Sequence, residues 1–588
     1  MAPAKNMMKN PSRRHVLSGI AAALPLAGAP ASQKPNVLII LTDDQGYGDF
    51  SCHGNPVLRT PNMDKLHGES VRFTDFHCAP MCTPTRGQLM SGQDALRNGA
   101  TSVTAGRAVL RRGIPTMADV FQAGGYRTGL FGKWHLGDNY PHRPMERGFQ
   151  EAKYFLEWGL SAAPEFDNDY FNGRYRDKGI VKKFDGYCTD FWFSEAMSFM
   201  RERQQKSEPF FCYLPTNTPH APAWVAAKYS APYRKDGLPA DFFGMIANLD
   251  ENLGKLEAFL RETGLRDNTI VIFMTDNGAT GGYRVFNAGM RGKKTENYEG
   301  GHRVPCFVRW PAGKLRAAGD VTTQAQMQDL LPTLIDLCAL AKPKNARFDG
   351  ASLAPVLKGS GKIADRMLVV QYGQIPKKWD ACTLWGKWRL LNERELYDMQ
   401  EDPGQKRDVS ATRPDVVEKM RTHYEKWWAS VEPRLKDFAP ISIGSDHENP
   451  VTLSSSDWQD IYCDNVGHVS NAVGGPRGGP WAVFVERDGE YEISLSRWPP
   501  HLALPLTAGR PEQKMTAGKL MAGKALPIAG AKASIAGQDL SAKAAEGAAT
   551  VVLRAKLKGG AKTNLQAWFQ NAAGDDLCGA FYAQVRRL

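Results

Sequence analysis

Two short apolar runs, N-V-L-I-I-L and T-I-V-I-F-M, are each followed by one Thr and then by two side chains that carry oxygen. Those side chains are Asp43 and Asp44 after the first run, and Asp276 and Asn277 after the second. Asp and Asn are also common in helix caps and in turns after strands, which is the structural alternative. Three carboxylates that come close together repel one another unless a cation is present, and oxygen ligands suit a hard divalent ion. Because both runs end in the same way and side chains would supply most of the ligands, we predict a calcium (Ca²⁺) site.

A second set of residues could bind anions or move protons. The segment C-T-P-T-R places the thiol of Cys82 four residues before the guanidinium of Arg86. Taken alone, this cysteine could be an activated thiol, a small buried residue or half of a disulfide. Further along the chain, cations and imidazoles occur in G-K-W-H-L-G, in P-H-A-P and ahead of Y-E-G-G; they are Lys133, His135, His220 and Lys294.

In this order, the motifs resemble those of the type I sulfatases of the alkaline phosphatase superfamily. The resemblance covers about residues 35–440 and includes the late segment L-Y-D followed by Asp402-Pro403. It implies an arylsulfatase-like enzyme that hydrolyses sulfate monoesters. In this family a formylglycine-generating enzyme oxidises the motif cysteine, so Cys82 would become an aldehyde. The hydrate of that aldehyde attacks sulfur and then expels sulfate by collapsing back to the aldehyde.

The resemblance also implies a role for each motif residue. Formylglycine at position 82 would hold calcium together with the four oxygen-bearing side chains, and Arg86 would hold the hydrate. His135 would be the base on the second hydroxyl. Lys133 and Lys294 would bind sulfate oxygens. His220 and Lys294 would bind the ester and protonate the leaving oxygen.

Two other functions stay open. A phosphonate monoester or phosphodiester hydrolase can use the same modified cysteine and fold. The G-K-W-H-L-G stretch and Lys294 favour a singly charged sulfate ester instead. Lys294 is chosen over its neighbour Lys293 by its spacing from Glu299. The other alternative is a non-catalytic glycan-binding protein on a sulfatase scaffold, against which the intact motifs argue. We expect a sulfated carbohydrate as substrate, with aryl sulfates as surrogates. Aromatic residues in the range 154–187 would line its pocket or belong to the core.

The elements that position these residues follow from the hydrophobic pattern. The two apolar runs are typical of strands that are buried on both faces of a parallel sheet. Helical patterns over 117–123 and 243–263 lie between them, so the sequence predicts an α/β fold with a doubly wound, mostly parallel sheet. Ligands in such folds bind beyond the carboxyl ends of the strands, which is where both acid pairs are expected.

The pattern changes after about residue 440. Residues 481–498 alternate around Asp488-Gly489, which predicts a hairpin. Residues 550–557 and 565–569 are also strand-like, whereas 507–548 is rich in Ala, Gly and Lys. We therefore predict a catalytic domain over residues 32–440 and a smaller β-rich C-terminal domain over residues 441–588.

Composition limits the class of protein. The chain has 588 residues, 42% apolar and 23% charged, with 57 Gly and 37 Pro, which excludes collagen-like, coiled-coil and largely disordered proteins. The net charge of +12 is concentrated near the C-terminus. It suits a polyanionic partner or a solubilising surface, and no nucleic-acid-binding motif accompanies it. The ten cysteines form no CxxC pair, which argues against a zinc site, and we expect few disulfides.

The N-terminus predicts export. Arg13-Arg14 precede a small apolar stretch that ends in A-P-A-S, which is typical of a twin-arginine signal peptide over residues 1–31, although a disordered tail is the alternative. The stretch is too short to span a bilayer. We expect a periplasmic or secreted protein without a stable membrane anchor.

Overall fold

The computed structural model describes residues 1–2, 34–472 and 478–588. The twin-arginine pair and the predicted cleavage site lie outside the described residues. Residues Pro35–Leu588 form one unit, so the domain boundary at about residue 440 stays a prediction. No helix in the described part of the chain is long and apolar enough to cross a membrane.

A large sheet positions the acid pairs. The first strands in chain order are β1 Asn36–Thr42, β2 Val71–Phe73, β3 Phe76–His77, β4 Arg127–Lys133, β5 Glu151–Phe155, β6 Arg174–Asp177, β7 Ile180–Lys183, β8 Phe210–Pro215, β9 Thr269–Thr275, β10 Cys306–Arg309, β11 Gly319–Val321 and β12 Ala325–Gln326. Ten of these described strands form one sheet in the order β11-β2-β10-β9-β1-β8-β4-β5-β6-β7. The neighbours from β9 to β5 are all parallel, and antiparallel pairs flank them.

Helices cover both faces of this sheet. Along the described chain the α-helices are α1 Pro61–Gly68, α2 Cys82–Ser91, α3 Ala95–Asn98, α4 Met117–Ala123, α5 Cys188–Gln205, α6 Ala227–Ser230, α7 Ala240–Glu262, α8 Glu299–His302, α9 Leu330–Leu337, α10 Ala354–Leu357, α11 Pro414–Val431 and α12 Val466–Asn471. Alternate residues of β1 enter two different cores. Ile39 belongs to the core that contains α4 and α9, and Ile40 to the core that contains α5 and α7. The predicted α/β fold with a doubly wound, mostly parallel sheet is therefore confirmed.

The later strands form smaller sheets. They are β13 Met367–Gln371, β14 Ala381–Trp385, β15 Trp388–Leu391, β16 Glu395–Asp398, β17 Ile441–Ile443, β18 Val451–Ser454, β19 Trp481–Val485, β20 Gly489–Ser496, β21 Gln513–Lys514, β22 Lys519–Leu520, β23 Gly530–Ile535, β24 Gln538–Lys543, β25 Val551–Leu557, β26 Ala561–Gln570, β27 Asp576–Gly579 and β28 Tyr582–Arg587. An antiparallel sheet contains β13 to β16. The C-terminal strands form two main sheets around one core, β17-β19-β26-β23-β24 with β27, and β18-β28-β20-β25. The predicted β-rich C-terminal region is confirmed.

The predicted hairpin around Asp488-Gly489 is wrong. Strand β19 pairs with β26, whereas β20 pairs with β25 and β28, so the two strands lie in different sheets. Both strands turn alternate apolar residues, such as Val483 and Ile493, into the core that the two sheets share. A chain that passes from one sheet to the other across that core has the same alternation as a hairpin. No disulfide joins any of the ten cysteines, all of which lie in described ranges.

A glycine fixes the end of β4. Gly132 has φ 134°, and a Cβ atom there would lie 1.8 Å from the carbonyl oxygen of Pro215 in β8. We expect Gly132→Ala to lower the free energy of unfolding by about 2–5 kcal/mol, because it adds a clash to backbone strain. Denaturant unfolding measures the loss. Gly113→Ala is the matched control, since Gly113 has φ 89° but open space around it, and should cost only about 1–2 kcal/mol. Equal losses would contradict the clash.

Candidate active site

Parallel pairing of β1 with β9 brings the two acid pairs together. Thr42 lies opposite Thr275, so the residues that follow each strand emerge side by side at the carboxyl edge of the sheet. The backbone N–H of Asp44 donates to Oδ1 of Asp276 at 3.2 Å. The side-chain amide of Asn277 donates to Oδ1 of Asp44 at 3.0 Å. These side chains are buried.

Cys82 is the first residue of α2, and its thiol points at the acids. Its Sγ atom lies 3.4 Å from Oδ1 of Asp43 and 3.4 Å from Oδ1 of Asn277. One turn later, Arg86 donates to Oδ2 of Asp276 at 2.8 Å and to the backbone carbonyl of Lys133 at 3.0 Å. The helix thus directs both side chains into the cluster, because residues four apart share a helix face.

The two predicted lysines and His220 also reach this cluster. The Nζ atom of Lys133 lies 2.5 Å from Oδ2 of Asp43. That of Lys294 lies 2.5 Å from Oδ1 of Asp44 and 3.4 Å from the thiol of Cys82. His220 follows β8 and places Nε2 3.8 Å from Oδ2 of Asp44. Its Nδ1–H donates to the carbonyl of Ala221 at 2.7 Å, which leaves Nε2 directed toward the cluster.

His135 lies beside the cluster rather than in it. Its backbone carbonyl accepts a hydrogen bond from the Thr83 hydroxyl at 3.2 Å, so it adjoins the start of α2. Nε2 of His135 lies 3.4 Å from Oε2 of Glu157, and the imidazole packs edge-on against Trp158. Both His135 and Glu157 are buried. Sequence reasoning missed Glu157; its position just after β5, at the same sheet edge as the acid pairs, was the available indication.

Burial and charge set the protonation of the cluster. Burial, together with Asp43, raises the pKa of Asp276 to about 6. Burial and the neighbouring carboxylates also raise the pKa of the Cys82 thiol, so it stays protonated. Burial would raise the pKa of Asp44 as well, but Lys294 and His220 more than offset it and hold that pKa below its ordinary value. Burial lowers the pKa of His220 to about 3, so its imidazole is neutral.

The donor set fits a hard divalent cation. The candidate ligand atoms of Asp43, Asp44, Cys82 and Asp276 all lie within 4.8 Å of one another and all four residues are buried. Burial is the main cause of the raised pKa of Asp276, and the charge of Asp43 adds to it; a cation would relieve that crowding of like charges. Carboxylate and amide oxygens are ligands that calcium accepts.

Comparisons with known proteins define the class of enzyme. A family model described as Sulfatase matches residues 35–339. N-acetylgalactosamine-6-sulfatase of Canis lupus familiaris is 31% identical over 405 residues, which are 63% of this chain and 76% of the relative. Arylsulfatase G of Homo sapiens is 30% identical over 391 residues, 58% of this chain and 72% of the relative. A crystal structure of Ps i-CgsB in complex with k-i-k-neocarrahexaose has a TM-score of 0.62 and 28% identity, covering 67% of this chain and 93% of that chain.

The chain belongs to the sulfatase family of the alkaline phosphatase superfamily. It is therefore an enzyme, a sulfuric ester hydrolase, rather than the non-catalytic glycan-binding protein that the sequence left open.

Proposed function

We propose that this sulfatase removes sulfate from a sulfated carbohydrate through a formylglycine made from Cys82 and a calcium ion. The observation that carries the proposal is the position of the Cys82 thiol, 3.4 Å from Asp43, Asn277 and Lys294 alike. A carbohydrate substrate is supported by the names of its relatives, one of which is an N-acetylgalactosamine-6-sulfatase, and by the neocarrahexaose bound to Ps i-CgsB.

Calcium would be held by residue 82 and by the four oxygen-bearing side chains Asp43, Asp44, Asp276 and Asn277. Formylglycine would supply a hydrated aldehyde as the nucleophile, and calcium would supply positive charge at the sulfate oxygens and lower the pKa of that nucleophile. Three cations contact the carboxylates, so a divalent ion and a singly charged ester that enter together would add one positive charge to the site. Those cations are Arg86, Lys133 and Lys294.

The cations also position and stabilise the ester. Arg86 joins Asp276 to the end of β4 and so fixes residue 82 relative to Lys133. Lys133 and Lys294 direct ammonium groups into the site from two sides, where they would bind sulfate oxygens as charge develops. Lys294 keeps its proton because Asp44, against the effect of burial, raises its pKa. It is thus the charged proton donor for the leaving oxygen, while His220 binds the ester as a neutral imidazole.

Maturation and export complete the proposal. Cys82 is only 1% exposed, so a formylglycine-generating enzyme would have to act on the C-T-P-T-R segment before the chain folds. The twin-arginine signal would then carry the folded enzyme to the periplasm or beyond. The β-rich region 441–588 would be a separate domain.

The test is the release of inorganic sulfate and phosphate, measured by ion chromatography, from aryl esters and a panel of sulfated polysaccharides. The enzyme is produced with and without a formylglycine-generating partner. We expect sulfate release that requires the partner. Phosphate release alone would favour the phosphonate and phosphodiester alternative. Absence of both, with formylglycine present by mass spectrometry of the Cys82 peptide, would contradict the proposed substrates.

Lys294→Ala should lower kcat/KM for an aryl sulfate by about 10²–10³-fold, because an ammonium that stabilises developing charge is lost. Lys293→Ala is the matched control: its ammonium lies 4.9 Å from the Tyr283 ring centroid instead of in the cluster. We expect the control to stay within threefold of the wild type in steady-state kinetics. A larger loss in Lys293→Ala than in Lys294→Ala would reverse the assignment.

A further inference from the structure

The surroundings of His135 disfavour an imidazolium ion. Burial and four nearby basic groups hold the pKa of His135 well below its ordinary value; those groups are Lys133, Arg86, His220 and Lys294. Within the described residues, neither ring nitrogen of His135 has a hydrogen-bond partner. His135 can therefore accept a proton on one ring nitrogen only if it gives up a proton from the other.

Glu157 is placed to receive that proton. Its Oε2 atom lies 3.4 Å from Nε2 of His135, and it too lacks a hydrogen-bond partner among the described residues. The Glu157 backbone N–H donates to both carboxylate oxygens of Asp138, at 3.0 and 3.2 Å, which fixes the loop after β5. Since Nε2 faces Glu157, a proton from residue 82 would have to bind the other ring nitrogen, Nδ1.

The groups that face Glu157 are mostly acidic. Asp138 follows β4, Asp457 and Asp464 belong to the C-terminal region, and Lys133 is the cation at the end of β4. Burial, followed by these three acids, raises the pKa of Glu157 well above its ordinary value despite Lys133. A proton on Glu157 therefore removes one charge from a crowded acidic environment, whereas a proton on His135 adds one to a crowded basic environment.

We infer that Glu157 is a positioning residue that accepts, through His135, the proton released at residue 82 when sulfate leaves. One proton binds Nδ1 of His135, and the proton on Nε2 moves to Oε2 of Glu157. At residue 82 the hydroxyl O–H bond and the C–O bond to sulfate would break as the C=O bond forms, and sulfate would leave with the electron pair of the C–O bond. In the relay itself only N–H and O–H bonds change, and the imidazole is neutral before and after. This inference deepens the proposed function and rests on it for the origin of the proton.

A cavity of 640 Å³ provides the way out to water. Asp138 and Asp457 both line it, together with residues of the C-terminal region such as Tyr582. Burial raises the pKa of Asp138 to about 8 and that of Asp457 to about 7, so both carboxyls can exchange protons near neutral pH. The proton on Glu157 thus has neighbouring carboxyls that lead to the cavity.

The first test is kinetic. In Glu157→Gln the amide oxygen can face Nε2 of His135 as Oε2 now does at 3.4 Å, but the amide cannot take the proton. We expect kcat for aryl sulfate hydrolysis to fall by about 10²–10⁴-fold with KM within threefold, and Glu157→Asp to retain more activity than Glu157→Gln. Glu257→Gln is the matched control, because Glu257 is buried in α7 and pairs with Arg309 at 2.7 Å, away from His135 and from the cavity. It should keep kcat within threefold.

The second test needs no turnover. The ring nitrogens of His135 are followed by ¹⁵N NMR in full-length Cys82→Ala protein with labelled histidine and calcium, and are assigned with His135→Gln. As the pH falls, we expect His135 to change from the neutral Nε2–H form to the neutral Nδ1–H form. With Glu157→Gln added, it should keep the Nε2–H form over the same range. Circular dichroism confirms that each variant is folded, and Glu157→Asp replaces any variant that is not.

The outcomes separate this inference from the proposed function. A kcat loss under tenfold in Glu157→Gln, or the same ¹⁵N titration with and without Glu157, would overturn the inference. If the wild type releases no sulfate but the titration depends on Glu157, the pair stands and the proposed substrate is wrong.

Discussion

Cys82→Ala is expected to abolish sulfate release, with kcat lower by roughly 10⁶-fold, while the protein stays folded. Removal of a covalent nucleophile costs about this much in enzymes whose other groups act through it. The fold should survive because a small buried side chain replaces another. The lost contacts are those of Sγ with Asp43, Asn277 and Lys294. We expect the free energy of unfolding to fall by only about 1 kcal/mol.

The measurement compares ion-chromatographic sulfate release and thermal unfolding of the two proteins. Cys78→Ala is the matched control: this cysteine is equally buried four residues earlier, but its thiol donates to the backbone carbonyl of His302. It should keep near-wild-type activity. Residual activity above about 1% in Cys82→Ala would contradict covalent catalysis at position 82.

The order of the motifs was enough to predict the acid cluster because the geometry of parallel strands brings the ends of neighbouring strands together. Both apolar runs are buried on both faces, and parallel pairing at equal register places the residues after Thr42 beside those after Thr275. Cys82 and Arg86 share a helix face, so one helix direction brings both in. These parts of the site depend on local periodicity and on the rule that ligands bind at the carboxyl ends of strands.

Glu157 and the C-terminal sheets depend on information that periodicity does not contain. Glu157 reaches His135 through a loop, and no repeat or spacing relates the two residues. The alternation in β19 and β20 fixes which side chains are buried but not which strand each one pairs with. Pairing there is decided by residues far along the chain, in β25, β26 and β28.

Asp276→Asn is the sharpest test of calcium. With its single oxygen in the Oδ2 position, the amide still accepts from Arg86, which now donates at 2.8 Å, so the guanidinium is not left without a partner. The N–H of Asp44, which now donates to Oδ1 at 3.2 Å, loses its acceptor. The substitution removes one negative charge from the ligand set. We expect kcat to fall by about 10²–10⁴-fold, which corresponds to several kcal/mol of charge stabilisation.

Thermal unfolding with calcium and with a chelator separates metal binding from fold stability. At a calcium concentration of 100 times Kd, binding stabilises a folded protein by about 2.7 kcal/mol. The wild type should therefore melt at a lower temperature after chelation, whereas Asp276→Asn should melt at nearly the same temperature in both conditions. Asp49→Asn is the matched control, because Asp49 is a buried acid near β1 that accepts from the Gly46 N–H outside the cluster. It should keep the response to chelation. If the wild type itself does not respond, calcium is not held by these residues, and the three cations that contact the carboxylates would be their permanent counter-charges.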